Sequence, residues 1–289
     1  MGRVEGVIAN NMNITGKIKE CIIIGDPVEH SLSPVMHNAA YQELGLEGQY
    51  VFKAERVKSG EVGKMVNRVR KEGVRGLTCT APHKEEVMQY LDEIDPIAKK
   101  IGAVNTVVND NGVLKGYNTD WLGTVVPLEK VTELAGKKVA LLGAGGAARA
   151  MAYGVVEKGA ELKIYNRTVE KAKELASELG CRAGSLDEIR EVKDCNIILN
   201  STAVGMGERT GESLVPEKYL TDKHIVMDAV YVPLKTKLLT DAQLKGAQII
   251  LGTEMLLCQG VAQFELYTGE KAPEEVMRRA IEEPLLVCK

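Results

Sequence analysis

The stretch that most constrains this chain is Val139–Ala148, V-A-L-L-G-A-G-G-A-A. An apolar run suited to a buried strand ends in a glycine cluster, and an alanine-rich stretch of helical character follows. That order is what a dinucleotide-binding turn requires. Gly143 permits the sharp turn from strand to helix, and Gly145 has no side chain to hold a pyrophosphate away from the backbone. Ala148 lets the helix lie close on its strand, and the helix N-terminus offers free N–H groups and a positive dipole end to phosphate. A glycine pattern alone fits an empty turn equally well, so its surroundings decide.

After the helix and Gly159 comes a second strand-like run, Glu161–Tyr165, ending at Asn166-Arg167-Thr168. An NAD-binding fold usually places an acid at this strand end, against the ribose 2′-hydroxyl. Here there is none. Arg167 stands there instead, and Lys171 follows one helical turn later. A guanidinium fork beside an ammonium suits a 2′-phosphate. The expected cofactor is therefore NADP(H) in preference to NAD(H).

The 289 residues suffice for two domains of ordinary size. Lys and Arg number 37 against 40 Asp and Glu, so there is no basic field and nucleic acid is excluded as a partner. The six cysteines form no C-x-x-C pair and read as reduced, mostly buried thiols, which points to the cytoplasm. The four histidines are scattered and predict no metal site. The N-terminus lacks signal-peptide order and no apolar run is long enough to span a bilayer, so no membrane association is expected. Residues 1–18 are polar and turn-rich and read as a leader or a frayed strand. A homodimer is allowed for, although no stretch of the sequence encodes an oligomeric state.

Along the first half, Cys21–Gly25 reads as a buried strand turning at Asp26-Pro27. Ser33 followed by Pro34 is a helix start, with Ser33 as N-cap and Pro34 in the first turn. Ser31 adds a second hydroxyl at that helix end, which makes a carboxylate-binding corner. Strands are expected at Tyr50–Lys53 and Gly76–Thr80, and an amphipathic helix at Glu61–Arg70. The Gly76–Thr80 run enters Ala81-Pro82-His83-Lys84, with a helix over Glu85–Leu91. Lys84 could project from that bend into a cleft, although a single lysine is more often a solvated surface group. Asn111-Gly112 between two valine-rich runs marks a hairpin that exits into Gly116–Asp120. Asp120, taken alone, reads as the N-cap of the helix that follows.

A domain boundary is expected between Asp120 and Leu134. Beyond the glycine turn, Thr168 should cap a helix that Gly180 stops. The strand Asn196–Asn200 leads into the polar loop Ser201–Gly205, placed where doubly wound sheets bind ligands. Further strands are expected at His224–Asp228 and Gln248–Leu251. Gln259 and Gln263 share a helix face, read at its simplest as a polar edge, though they follow the apolar Met255-Leu256-Leu257.

From about Cys21 to Gly269 the chain resembles the shikimate dehydrogenases. The motifs carrying this resemblance recur in order: Ser31-Leu32-Ser33-Pro34, Thr80–Lys84, Gly102–Thr106, Gly116–Asp120, Gly143–Arg149, Asn166-Arg167-Thr168 and Gln259-Gly260. The resemblance implies an α/β fold of two α/β domains. Residues 1–120 would form a substrate-binding catalytic domain, completed by 253–289, and residues 121–252 a Rossmann-like NADP-binding domain. The implied activity is the reversible NADPH-dependent reduction of 3-dehydroshikimate to shikimate, in chorismate and aromatic amino-acid biosynthesis.

The resemblance also implies roles. Lys84 and Asp120 would be the catalytic pair. Ser31 and Ser33 would take the substrate carboxylate, with Tyr231 nearby. Thr80, Asn105 and Gln259 would hold ring hydroxyls, with Gln263 in support. Gly143, Ala144, Gly145, Gly146, Ala147, Asn166, Arg167, Thr168, Lys171, Thr202, Ala229 and Gly252 would contact the cofactor. One departure stands out. The family usually has Asn-Val-Thr where this chain has Thr78-Cys79-Thr80, and a hydroxyl carries one donor where an amide carries two. A dual quinate/shikimate dehydrogenase that also uses NAD is therefore the second reading. A glutamyl-tRNA reductase-like enzyme would need a basic RNA-binding face. A ligand sensor without turnover would not need both Lys84 and Asp120.

Overall fold

The computed structural model describes residues 17–287. The expectation for residues 1–18 therefore lies almost entirely outside the described residues. In chain order, the first half comprises β1 (Lys19–Gly25), α1 (Ser33–Glu43), β2 (Tyr50–Arg56), α2 (Val62–Glu72), β3 (Gly76–Cys79), β4 (Glu93–Ile94), α3 (Pro96–Ile101), β5 (Thr106–Asp110) and β6 (Val113–Tyr117). A linking helix, α4 (Asp120–Glu129), follows. The second half comprises β7 (Lys138–Leu142), α5 (Gly146–Glu157), β8 (Glu161–Asn166), α6 (Val169–Leu179), β9 (Arg182–Ser185), β10 (Ile197–Asn200), β11 (Ile225–Asp228), α7 (Lys237–Leu244) and β12 (Gln248–Ile250). Two helices close the chain, α8 (Gly252–Thr268) and α9 (Glu274–Val287).

The strands form two six-stranded sheets. The first runs β2-β1-β3-β5-β6-β4, with β5 antiparallel to both of its neighbours. Asn111, at φ +53°, and Gly112, at φ +94°, make the hairpin turn between β5 and β6. The second sheet runs β12-β11-β10-β7-β8-β9, and every pair is parallel. This is the doubly wound order whose direction of winding reverses between β7 and β10. The glycine turn after β7 and the polar loop after β10 therefore face each other across the switch point, where such sheets bind ligands.

Strands buried on both faces read as continuous apolar runs because helices cover each side. In β7, Val139–Leu142 are all buried, and α5 and α6 supply Ala148, Met151, Ala172 and Leu175 to the same core. The C-terminal helices return to the first sheet: Leu257, Phe264, Tyr267, Met277 and Ile281 pack with Cys21, Ile23, Met36 and Phe52. The start of α8 belongs to the other core, since Met255 packs there with Leu141 and Ala148. α4 lies against both α5 and α8, and so forms the spine between the two sheets. No described helix is long and apolar enough to cross a membrane.

Several local expectations need correction. Ser33 is the first residue of α1 rather than its cap; Leu32 holds that position, and Ser33 donates its own N–H to Ser31 Oγ at 3.3 Å. Thr168 occupies the N-cap of α6, but its side chain makes no capping bond. The segment after Lys84 forms only a 3-10 turn over Glu86–Tyr90. Asp120 is the first residue of α4, with Thr119 at its cap. Gln259 and Gln263 are buried rather than a polar edge.

Candidate active site

Lys84 follows β3 by a tight bend in which His83 is fully enclosed and its Nε2 pairs with the Val57 carbonyl at 2.7 Å. The bend aims Lys84 inward. Its Nζ lies 2.5 Å from Asp120 Oδ2, with the two side chains only 14% and 7% exposed. A solvated surface lysine is thereby excluded. Asp120 is aimed from the other side: Asn118 Oδ1 accepts its N–H at 3.0 Å, and Asn118 is itself tied to the Ala103 carbonyl. The second oxygen of Asp120 accepts from Asn105 Nδ2 at 2.9 Å. The carboxylate thus has an ammonium on one oxygen and an amide on the other.

Asn105 stands at the junction of β3, β5 and β6, its N–H bonded to Tyr117 O and its carbonyl accepting from Cys79. Its Oδ1 accepts from Thr119 N at 2.8 Å and Thr106 Oγ1 at 2.7 Å. Its Nδ2 reaches Thr119 Oγ1 at 2.9 Å and, more loosely, Gln259 Oε1 at 3.5 Å. Gln259 donates to the Leu256 carbonyl within α8. Gln263, one turn further along α8, is wholly enclosed and donates to Thr106 Oγ1 at 2.9 Å, which sets it behind Asn105. Another turn on, the Tyr267 hydroxyl meets Thr78 Oγ1 at 2.8 Å. Thr78 lies one rung below the half-exposed Thr80 and is spent on Tyr267.

Two further contacts join the halves at this place. A Cβ on Gly146, at the head of α5, would touch Lys84 Cδ at 3.3 Å, so the lysine stem lies along the glycine turn. Tyr231, beyond β11, lies beside the Ser31 side chain and the Leu32 amide, and burial pushes its phenol above the ordinary range. Ser31 and Ser33 are thus at the same edge of the cleft as Tyr231.

The glycine turn has the shape a dinucleotide needs. Gly143 sits at φ +112°, and a side chain there would collide with Ser201 Oγ. Gly145 is the N-cap of α5, with no side-chain capping bond and nothing within 4 Å of where a Cβ would lie. Ala144, Gly146 and Ala147 continue this half-exposed rim. The first amides of α5 therefore face open space. At the end of β8, Asn166 Nδ2 donates to the Thr168 carbonyl, and Arg167 and Lys171 are exposed with no ion-pair partner among the described residues. Thr202 is fixed by Asn200 Oδ1, Ala229 donates its N–H to the Asn200 carbonyl, and Gly252 leaves no room for a side chain against Val230 O. An open cradle, uncapped amides and, among the described residues, unpaired cations at the end of the neighbouring strand β8 fit NADP(H).

The polar neighbours Thr106, Thr119 and Asn118 were not singled out from the sequence, although all lie inside the motifs around Asn105 and Asp120. Their signal is a polar residue inside an otherwise valine-rich buried strand or turn. Asp228 was also missed. It is fully buried and accepts from Asn200 Nδ2 at 2.9 Å, Val230 N at 3.0 Å and Thr236 Oγ1 at 2.7 Å. It ties together the loops that carry Thr202, Ala229 and Tyr231.

Comparison with known proteins agrees with this arrangement. Residues 23–107 match the family described as shikimate dehydrogenase substrate binding domain. Residues 127–210 match shikimate / quinate 5-dehydrogenase, and residues 252–282 match the shikimate 5'-dehydrogenase C-terminal domain. The shikimate dehydrogenase (NADP(+)) of Pyrococcus abyssi is 47% identical over 259 residues, covering 89% of this chain and 95% of that protein. A crystal structure of a shikimate dehydrogenase in complex with NADP+ superposes with a TM-score of 0.88 at 38% identity, covering 93% of this chain and 96% of the other. That of the Thermus thermophilus enzyme with NADP(H) and shikimate gives 0.85 at 36% identity, covering 92% and 99%.

Proposed function

The chain belongs to the shikimate dehydrogenase family, and from that premise we propose how its own residues divide the reversible, NADPH-dependent reduction of 3-dehydroshikimate to shikimate. The observation that carries the proposal is the Lys84–Asp120 pair, 2.5 Å apart, with the lysine stem lying along the glycine turn. Bound NADPH supplies the hydride. As the ketone is reduced, negative charge builds on its oxygen, and Lys84 neutralises it and delivers a proton from Nζ. In the oxidative direction Lys84 takes the hydroxyl proton back. Asp120 holds Lys84 in place and, through its two occupied oxygens, fixes the direction of the Nζ–H bonds.

Ser31 and Ser33 bind the substrate carboxylate, with Tyr231 closing that corner from the second half. Thr80, Asn105 and Gln259 border the ring hydroxyls, and Gln263 supports them from behind. The rim Gly143–Ala147 receives the pyrophosphate. Arg167 and Lys171, beside Asn166 and Thr168, take the 2′-phosphate, and Thr202, Ala229 and Gly252 line the nicotinamide end. The domain division follows the two sheets: 1–120 with 253–289 around the first, 121–252 around the second. The dual quinate/shikimate reading is not favoured, because relatives matching about nine-tenths of the chain are named shikimate dehydrogenase (NADP(+)). The cytoplasm is the assigned compartment, which the unpaired thiols favour.

Lys84→Ala tests the central assignment. General acid–base assistance is worth ~100- to 10,000-fold, and kcat for shikimate oxidation is expected to fall by that factor with NADP+ affinity nearly unchanged. Retained turnover, or an equal loss of cofactor binding, would count against the role.

A further inference from the structure

The hydrogen bonds behind Asn105 have a direction, and that direction can be worked out from one fixed donor. The Thr119 backbone N–H points at Asn105 Oδ1, 2.8 Å away, so this atom is an acceptor. The other side of the amide, Nδ2, must then donate, and it does so to Asp120 Oδ1. Thr106 Oγ1 is 2.7 Å from the same Asn105 Oδ1, and only the threonine has a hydrogen to give. With that hydrogen spent, Thr106 must accept from its other neighbour, so Gln263 presents Nε2 at 2.9 Å. Gln263 Oε1 is thereby turned toward α1, where His37 is the adjoining group. Oε1 and both ring nitrogens of His37 are buried without an aligned partner. The sequence of donors runs through residues of α8, β5 and α4, and no member except Asp120 carries charge.

We propose that Thr106 and Gln263 are positioning residues for the reaction: acting through Asn105, they hold its amide with Nδ2 toward Asp120, and so keep Asp120 an acceptor aimed at Lys84. The inference rests on the reading of Lys84 and Asp120 as the proton-transfer pair. A reversed Asn105 amide would set an oxygen against the Asp120 carboxylate and an NH2 against the Thr119 N–H. Both contacts are repulsive. The Asp120 carboxylate and the Thr119 N–H both oppose the reversal, and Thr106 adds a second donor to Asn105 Oδ1 while filling the space beside it. Gln263 occupies one acceptor position of Thr106 and so favours the threonine hydrogen pointing at Asn105. The use of both ends of the Asn105 side chain explains why this residue type is needed here: an aspartate could not donate to Asp120, and a threonine could not reach Thr106, Thr119 and Asp120 together.

The test is a set of variants of the full-length enzyme, assayed with shikimate and NADP+. Thr106→Val keeps the shape and removes the hydroxyl; Thr106→Ser keeps the hydroxyl. Leaving a buried acceptor one donor short is expected to lower kcat about tenfold in Thr106→Val. Thr106→Ser is expected to stay within about threefold of the parent, and KM for NADP+ to move less than about twofold in either. Introduced into Asn105→Ala, the valine is expected to add less than about twofold, because its effect passes through that amide. Should Thr106→Val fail to fold, Thr106→Ala is read in its place with the same expectations. Unchanged kcat, a serine no better than the valine, or the same loss in both Asn105 backgrounds would each overturn the proposal. Lys84→Ala, run alongside, separates the two readings. If it turns over normally, the proton-transfer pair itself is wrong. If it is inactive while Thr106→Val is silent, only the positioning role falls.

Discussion

Replacing His37 with phenylalanine should change how stability depends on pH, by an amount the structure sets. His37 is fully buried, stacked on Phe52 with ring centroids 4.3 Å apart and interplanar angle 9°. Tyr41, Phe264 and Tyr267 surround it, and among the described residues only the Gln263 side chain acts on the ring besides burial. Burial pushes its pKa down from 6.5 to about 3, the neighbouring Gln263 amide opposing only weakly. The sign is that of a depressed base. Below pH 6.5 the unfolded chain takes up a proton that the folded chain refuses. Stability is therefore complete above pH 6.5 and is lost as pH falls toward 3. With those two values the loss reaches about 2 kcal/mol at pH 5 and about 3 kcal/mol at pH 4, relative to pH 8. Phenylalanine keeps the stacked ring and cannot titrate. It is slightly larger, and overpacking costs about 1–3 kcal/mol, but that offset is the same at every pH. Urea unfolding of the parent and of His37→Phe at pH 8, 6, 5 and 4 measures the difference. The variant should gain on the parent by those amounts as pH falls. Parallel curves would refute the argument, because they would mean that the imidazole is already charged or already hydrated in the folded protein.

Asp228 makes the opposite prediction. Burial raises its pKa from 3.8 to about 6, against the three donors that hold it. The folded chain then binds the proton more tightly, so this group's stabilisation is largest at low pH and is lost as pH rises from about 4 through 6. Asp228→Asn is expected to gain about 2–3 kcal/mol on the parent over that interval, read from the same urea series. Arg167→Ala is expected to raise KM for NADPH about 10- to 100-fold, the value of charge-assisted hydrogen bonds, with much less change in KM for NADH. An equal rise for both cofactors would make Arg167 a structural residue.

Much of the site was legible in the chain because its signals are local. The turn at Gly143, the hairpin at Asn111-Gly112 and the missing acid at Arg167 each depend on residues within a few positions. Backbone conformation and charge at such places are set by near neighbours, so the shape of the glycine turn and the expectation of NADP(H) could be read directly. The helix ends were read less well. Ser33 and Thr168 have the right chemistry for caps, but whether a hydroxyl turns back on its own helix depends on what else surrounds it. At Ser33, Ser31 accepts the N–H instead.

Residue order was enough to point to two α/β halves, a glycine turn between strand and helix, and Lys84 and Asp120 as the candidate pair. It took the packed chain to establish that Lys84 is enclosed against Asp120, that Thr78 is bonded to Tyr267, and that Gln263 donates to Thr106 beside Asn105. Those pairings join residues up to 189 positions apart. Periodicity says which face of α8 is buried, whereas the rotation and height at which α8 lies on β3 and β5 fix which polar groups meet there, and that is a property of the packed core.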